Sequence, residues 1–195
     1  MNVVIPVFSG VEELDAIGPL EVFGLARQRG LPVEVALATH ETPREVCGIH
    51  GVVFGKLADF SASCPADLIV VPGGAWLSGG DQGVRRAVRE ETLPGILRQH
   101  FESGATVAAV CTGAFLLEAA GLLAGGPATT HHLAIDDLRA RGVACPEGRV
   151  IDDGRIVTSG GITSGIDLAL HLLRRSFSDF EADRVAEIME YDWKK

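Results

Sequence analysis

At 195 residues and 47% hydrophobic content, the chain carries enough apolar material for the core of one medium domain rather than two. A formal net charge of −9, with no basic run and no helix-turn-helix pattern, argues against nucleic acid or an anionic membrane surface as a partner. Cys47, Cys64, Cys111 and Cys145 stand far apart with no C-x-x-C pair, so they give no sign of a zinc knuckle or redox dithiol and read as reduced thiols of a cytoplasmic protein. No cofactor or metal is expected. The chain opens directly on an apolar strand with no secretory signal before it, and no apolar run is long enough to cross a bilayer.

Residues 2–8 form an apolar run with the look of a central parallel strand. Apolar residues at helical spacing follow over 12–26. Pro19 fits best in a first helical turn, so the regular helix is expected to begin near Gly18 or Pro19, with Asp15 on the connection before it. Glu12, Glu13 and Glu21 read as solvated or on a helix face. Residues 33–38 predict a second strand, 45–54 a hairpin turning near His50-Gly51, and 68–71 a buried strand running into Pro72-Gly73-Gly74. Residues 82–102 predict a helix broken at Pro94. After a buried strand over 106–110 and a helix from Gly113 to Ala120 come the short run 128–130 and the pair His131-His132. Residues 150–158 form a hairpin turned by Asp153-Gly154, and helices are expected over 162–176 and 179–191. Strands alternating with helices predict a single α/β domain over 1–195, a three-layer α/β/α sandwich with a mainly parallel sheet.

The junction Val110-Cys111-Thr112-Gly113 leaves almost no room for a loop between strand and helix. Ala109 and Gly113, two residues either side of Cys111, are small enough for the two elements to pass closely, which is the steric logic of a nucleophile elbow. A thiolate there is expected to gain from the positive end of the helix dipole and from free backbone N–H groups. Most lone buried cysteines are simply small hydrophobes, so the surrounding residues must decide. Ligands of an open parallel sheet bind beyond the carboxyl ends of its strands, and Asp15, Gly73-Gly74, Cys111 and His131 all fall at such ends. Burial of Asp15 would raise its pKa and keep it protonated beside the sulfur; a helix cap is the bland alternative. The Gly74 and Thr112 N–H groups are candidates to bind an oxyanion. Of His131 and His132, at most one can face the cysteine if the chain is extended there.

This pattern resembles the ThiJ/PfpI superfamily, whose fold is that of the class I glutamine-amidotransferase domain, a flavodoxin-like sandwich. The resemblance rests on residues 13–22 (ELDAIGPLEV), 70–74 (VVPGG), 110–115 (VCTGAF), 119–123 (AAGLL), 128–131 (ATTH) and 158–167 (TSGGITSGID), in order over nearly the whole chain. These versions look most like isocyanide hydratases and the amidase-like sensor domains of certain transcription regulators, whose DNA-binding half is absent from this sequence. The resemblance implies Cys111 as nucleophile, Asp15 as the acid contacting it, Gly74 and Thr112 as oxyanion donors, and Gly73 and His131 as accessory groups. Trp76, His132 and Ile162 are expected at the substrate pocket. His132 stands where the hydratases carry tryptophan, and Trp76 where smaller residues are usual. The implied activity is hydration of a small-molecule isocyanide by a homodimer without a cofactor. The alternatives are a glyoxalase- or deglycase-like enzyme acting on methylglyoxal-type carbonyls, and a ligand- or redox-sensing domain without catalysis.

Overall fold

The computed structural model describes residues 1–194. In chain order its strands are β1 (Asn2–Pro6), β2 (Glu34–Thr39), β3 (Val46–Cys47), β4 (Val53–Phe54), β5 (Ala58–Asp59), β6 (Leu68–Val71), β7 (Thr106–Val110), β8 (Val150–Asp153) and β9 (Ile156–Ser159). Its helices are α1 (Glu13–Gln28), α2 (Gly83–Glu90), α3 (Thr92–Glu102), α4 (Ala114–Ala119), α5 (Ile135–Ala140), α6 (Ser164–Ser176) and α7 (Asp179–Ile188). Seven strands form one sheet in the order β5-β2-β1-β6-β7-β9-β8, parallel throughout except for the edge hairpin β8–β9; β3 and β4 pair separately. Helices α1, α6 and α7 pack together, and α2, α3 and α4 form a second group, giving the three layers expected.

The sheet's central strands are apolar on both sides because both faces are covered. Val3, Ile5, Ile69, Val70, Val71 and the whole of Val107–Val110 are buried, which is why these segments show no alternation of polar and apolar residues. From β1 the chain winds first to β2 and later to β6, β7 and β9 on the other side. The switch in direction therefore lies between β1 and β6. It opens a crevice at their carboxyl ends, where the segments after β1, β6 and β7 converge.

Several boundaries differ from expectation. Helix α1 starts at Glu13, not near Gly18, and carries Pro19 inside it, so Asp15 sits in its first turn. Proline leaves only the Asp15 carbonyl without its i+4 donor, close enough to the helix start for the helix to run through. The break between α2 and α3 falls at Glu91, with φ +59, and Pro94 lies in the first turn of α3, where proline is accommodated. Residues 128–130 are not a sheet strand: Ala128 N–H reaches Ala144 O at 2.9 Å beside an isolated bridge between Pro127 and Ala144, while Thr129 and Thr130 bond elsewhere. Glu12 and Glu13 are buried, not solvated, because the β3–β4 hairpin folds over them.

Candidate active site

Cys111 follows directly on β7 with φ +56, a left-handed backbone unusual for a residue with a side chain. A single 3-10 turn, Cys111–Gly113, then leads into α4. A Cβ on Gly113 would strike the carbonyl oxygens of Val71 and Pro72, so the missing side chain is what lets the junction press against the end of β6. The strained residue is held from both sides. Its N–H donates to Gly160 O at 3.0 Å, and its carbonyl accepts from Thr130 Oγ1 at 2.8 Å.

The cysteine is 6% exposed, and burial pushes its thiol up, to about 12, with the negative charge of Asp15 adding to the shift. The N–H groups of Thr112 and Ile162 and the Thr112 hydroxyl act in the opposite direction without overcoming it. This corrects the expectation of an acidified sulfur: α4 is only six residues long, and the loss of water outweighs the few N–H groups. The resting side chain is a neutral thiol.

Asp15 is fully buried and faces the same spot from α1. Its Oδ2 accepts the Gly73 N–H at 3.0 Å, and among the described residues Oδ1 has no hydrogen-bond partner. Burial raises its pKa to about 8; the Gly73 bond draws it down, the nearby charge of Glu12 raises it further and the Cys111 thiol lowers it. The carboxyl is therefore protonated at neutral pH. Gly73 itself is indispensable for fit, since a Cβ there would come within 2.6 Å of Thr112 Oγ1 and 2.9 Å of Asp15 Oδ2.

The expected oxyanion pair needs revision. Gly74 N–H is occupied, donating to Thr112 Oγ1 at 3.0 Å, because Thr112 points back across the junction at the turn after β6. The N–H groups directed at the sulfur are those of Thr112 and Ile162. Ile162 was expected only as pocket lining; its φ of +32, in the turn preceding α6, is what aims its N–H, and the Gly160-Gly161 pair before it was the one signal in the sequence.

A cavity of about 170 Å³ opens over Cys111 and Thr112, walled by Glu12, Ile49, Trp76, Leu77, His131 and Ile162. Trp76 is held rigidly: its ring stacks on Phe115 with centroids 3.7 Å apart, its Nε1 donates to Asp137 Oδ2 at 2.9 Å, and the Arg85 guanidinium lies 4.5 Å from its centroid. His131 and His132 part company. His131 lines this pocket; its Nδ1 accepts the Leu133 N–H at 3.2 Å, and burial lowers its pKa. His132, expected at the substrate pocket, instead lines a separate cleft of about 390 Å³ with Arg139 and Arg149. Ile49 and Leu77 were not singled out from the sequence, and nothing local to them marks a pocket residue.

Residues 1–175 match the sequence profile of the DJ-1/PfpI family. The chain belongs to that family. It is 36% identical over 186 residues to the isonitrile hydratase of Pseudomonas putida, covering 94% of this chain and 75% of that protein. It is 33% identical to protein DJ-1 homolog A of Arabidopsis thaliana over 96% of this chain, but spans only 46% of that longer protein. Among solved structures, oxidized Toxoplasma gondii DJ-1 superposes with a TM-score of 0.84 at 28% identity, over 98% of this chain and 99% of that one. Membership of the DJ-1/PfpI family thus accounts for the sandwich. Family membership covers enzymes with different activities.

Proposed function

We propose that this protein is a cysteine-dependent hydratase of small organic isocyanides, converting R–N≡C and water to the N-substituted formamide. The observation that carries the reading is a buried carboxyl, protonated at neutral pH and short of one hydrogen-bond partner, facing a buried thiol at the floor of a small pocket. An isocyanide's terminal carbon accepts both a proton and a nucleophile, so a thiol beside a carboxylic acid matches it. Similarity to an isonitrile hydratase supports the same substrate class.

In this mechanism Asp15 donates its proton to the terminal carbon as Cys111 Sγ bonds to that carbon. Asp15 recovers a proton from the thiol, and the thioimidate R–N=CH–S–Cys111 forms. A neutral resting thiol suits the step, since the S–H proton ends on carbon through the carboxyl. Water then adds across C=N, with OH going to carbon and a proton to nitrogen. Collapse breaks the C–S bond, returns the hydroxyl proton to sulfur through Asp15 and releases R–NH–CHO. The Thr112 and Ile162 N–H groups stabilise negative charge on sulfur as the C–S bond forms and breaks. The pocket has no wide groove and takes a compact R group.

The decisive experiment is incubation of the protein with cyclohexyl isocyanide and mass-spectrometric detection of the formamide and of the thioimidate adduct. Formamide production that survives Cys111→Ala would overturn the nucleophile, and no production at all would overturn the substrate class. Lactate formed from methylglyoxal instead would favour the carbonyl reading, for which His131 at the pocket wall is the supporting feature. Exposed Leu14 and Ile17 on α1, and Val52 and Val53 on the hairpin that Glu13 ties to it, support a homodimer through this face, to be checked by light scattering. Among the described residues no helix is long and apolar enough to cross a membrane.

A further inference from the structure

The β3–β4 hairpin and the start of α1 bring together three potential ligands, the adjacent Glu12 and Glu13 and, 37 positions after Glu13, His50. Glu13 is 6% exposed, and its Oε1 accepts the His50 N–H at 2.7 Å and the Val52 N–H at 3.4 Å. Its Oε2 is buried with no partner among the described residues. His50 Nε2 stands 3.4 Å from Glu12 Oε1, and one ligand atom from each of Glu12, Glu13 and His50 lies within 4.8 Å of the other two. Acidic residues at a helix start are ordinary, because they complement the dipole. That does not account for a buried carboxylate oxygen left without a donor, which is costly and calls for a partner.

The spacing points to what the partner is. At 3.4 Å the His50–Glu12 contact is longer than a charge-assisted hydrogen bond, about 2.7–2.9 Å. It is close to one edge of a tetrahedron, since two ligands each about 2.1 Å from zinc stand about 3.4 Å apart, and the Glu13 ligand atom, within 4.8 Å of both, would be drawn inward by the ion. The His50 side chain is 70% exposed, so an ion has a route in from solvent. We propose that Glu12, Glu13 and His50 bind a first-row divalent cation such as Zn²⁺, two carboxylates and one neutral imidazole leaving the last position to water. The site borders the Cys111 pocket through Glu12 and does not depend on the hydratase reading.

The test uses the full chain stripped of metal, with Cys111→Ser as the background so that the pocket thiol cannot compete. Zn²⁺ is titrated against a chromophoric chelator, and Co²⁺ serves as the spectroscopic probe. The expected result is one tight equivalent per chain, weakened at least about tenfold by His50→Ala and by Glu13→Gln, on the scale of losing an ordered metal-site contact. The Co²⁺ spectrum should lack a thiolate charge-transfer band. His50 is exposed, so His50→Ala tests the site even if Glu13→Gln disturbs the hairpin. No saturable binding, binding that both variants leave unchanged, or a thiolate band from one of the remaining cysteines would overturn the proposal.

Discussion

His131 and His132 are neighbours in the chain and look into two cavities of opposite character. The cleft on the His132 side, about 390 Å³, is the larger, and its two arginines are already satisfied: Arg149 donates to Asp167 Oδ2 at 2.5 Å and to Thr163 Oγ1 at 2.8 Å, and Arg139 to Asp136 Oδ1 and Cys145 O at 3.2 Å each. The pocket on the His131 side holds only about 170 Å³, yet it contains a cysteine with strained backbone and, behind it, a protonated acid with an unpartnered oxygen. Size and reactivity have separated here. A group whose hydrogen bonds are complete has little left to offer a ligand, whereas an incomplete buried one is poised for chemistry.

The sharpest way to break this comparison is to remove one group from each cavity. Cys111→Ala should lower isocyanide turnover by about 10³-fold or more, as loss of a nucleophile does, while His132→Ala should stay within about twofold. Equal losses would mean that the wider cleft takes part.

Asp15→Asn should cost about 10²–10⁴-fold in kcat, the range for a general acid. Wild-type activity should fall as pH rises past about 8 and Asp15 loses its proton, and the residual activity of the variant should lack that limb. Stability has a definite sign. The folded pKa is raised from 3.8 to about 8, so the folded state binds the extra proton between those values. The stability tied to the proton is complete below pH 3.8 and is lost as pH rises through about 8. Denaturant melts should therefore show Asp15→Asn more stable than wild type at pH 9 and nearly equal to it at pH 4.

Next in size, Trp76→Ala should destabilise by about 3–5 kcal/mol through the lost stack on Phe115. It should also shift kcat/KM toward bulkier isocyanides by about tenfold, the worth of one or two methylene-sized contacts. Unchanged selectivity would show that the indole does not bound the substrate. The smallest effect is expected for His131→Ala, a change in KM of a few-fold with kcat held, on the order of 1 kcal/mol for one wall contact. A collapse of kcat would instead make His131 a participant and favour the carbonyl reading.

Residues 106–113 carried the elbow's geometry openly, because strand, small residues and helix start are all determined within a few positions by sterics. Residues 68–74 and 150–158 were legible for the same reason, since buried parallel strands and an Asp-Gly turn leave local marks. Asp15 was conspicuous as a carboxyl among apolar neighbours, and the buried start of α1 gives it the raised pKa expected of it. Helix α1 begins at Glu13, earlier than the local propensity of Pro19 favours, because packing against α6 outweighs that propensity.

What the sequence by itself determined was therefore the layer architecture, the strained cysteine junction and the family, all properties of short-range pattern. Only the tertiary structure decided that Thr112 Oγ1 occupies the Gly74 N–H, that Ile162 turns its N–H to the sulfur, that His131 and His132 diverge, and that a hairpin buries Glu12 and Glu13 beside His50. The physical reason is common to all four. Hydrogen-bond partners and desolvation are set by which segments meet across the fold, and no spacing along the chain encodes that meeting.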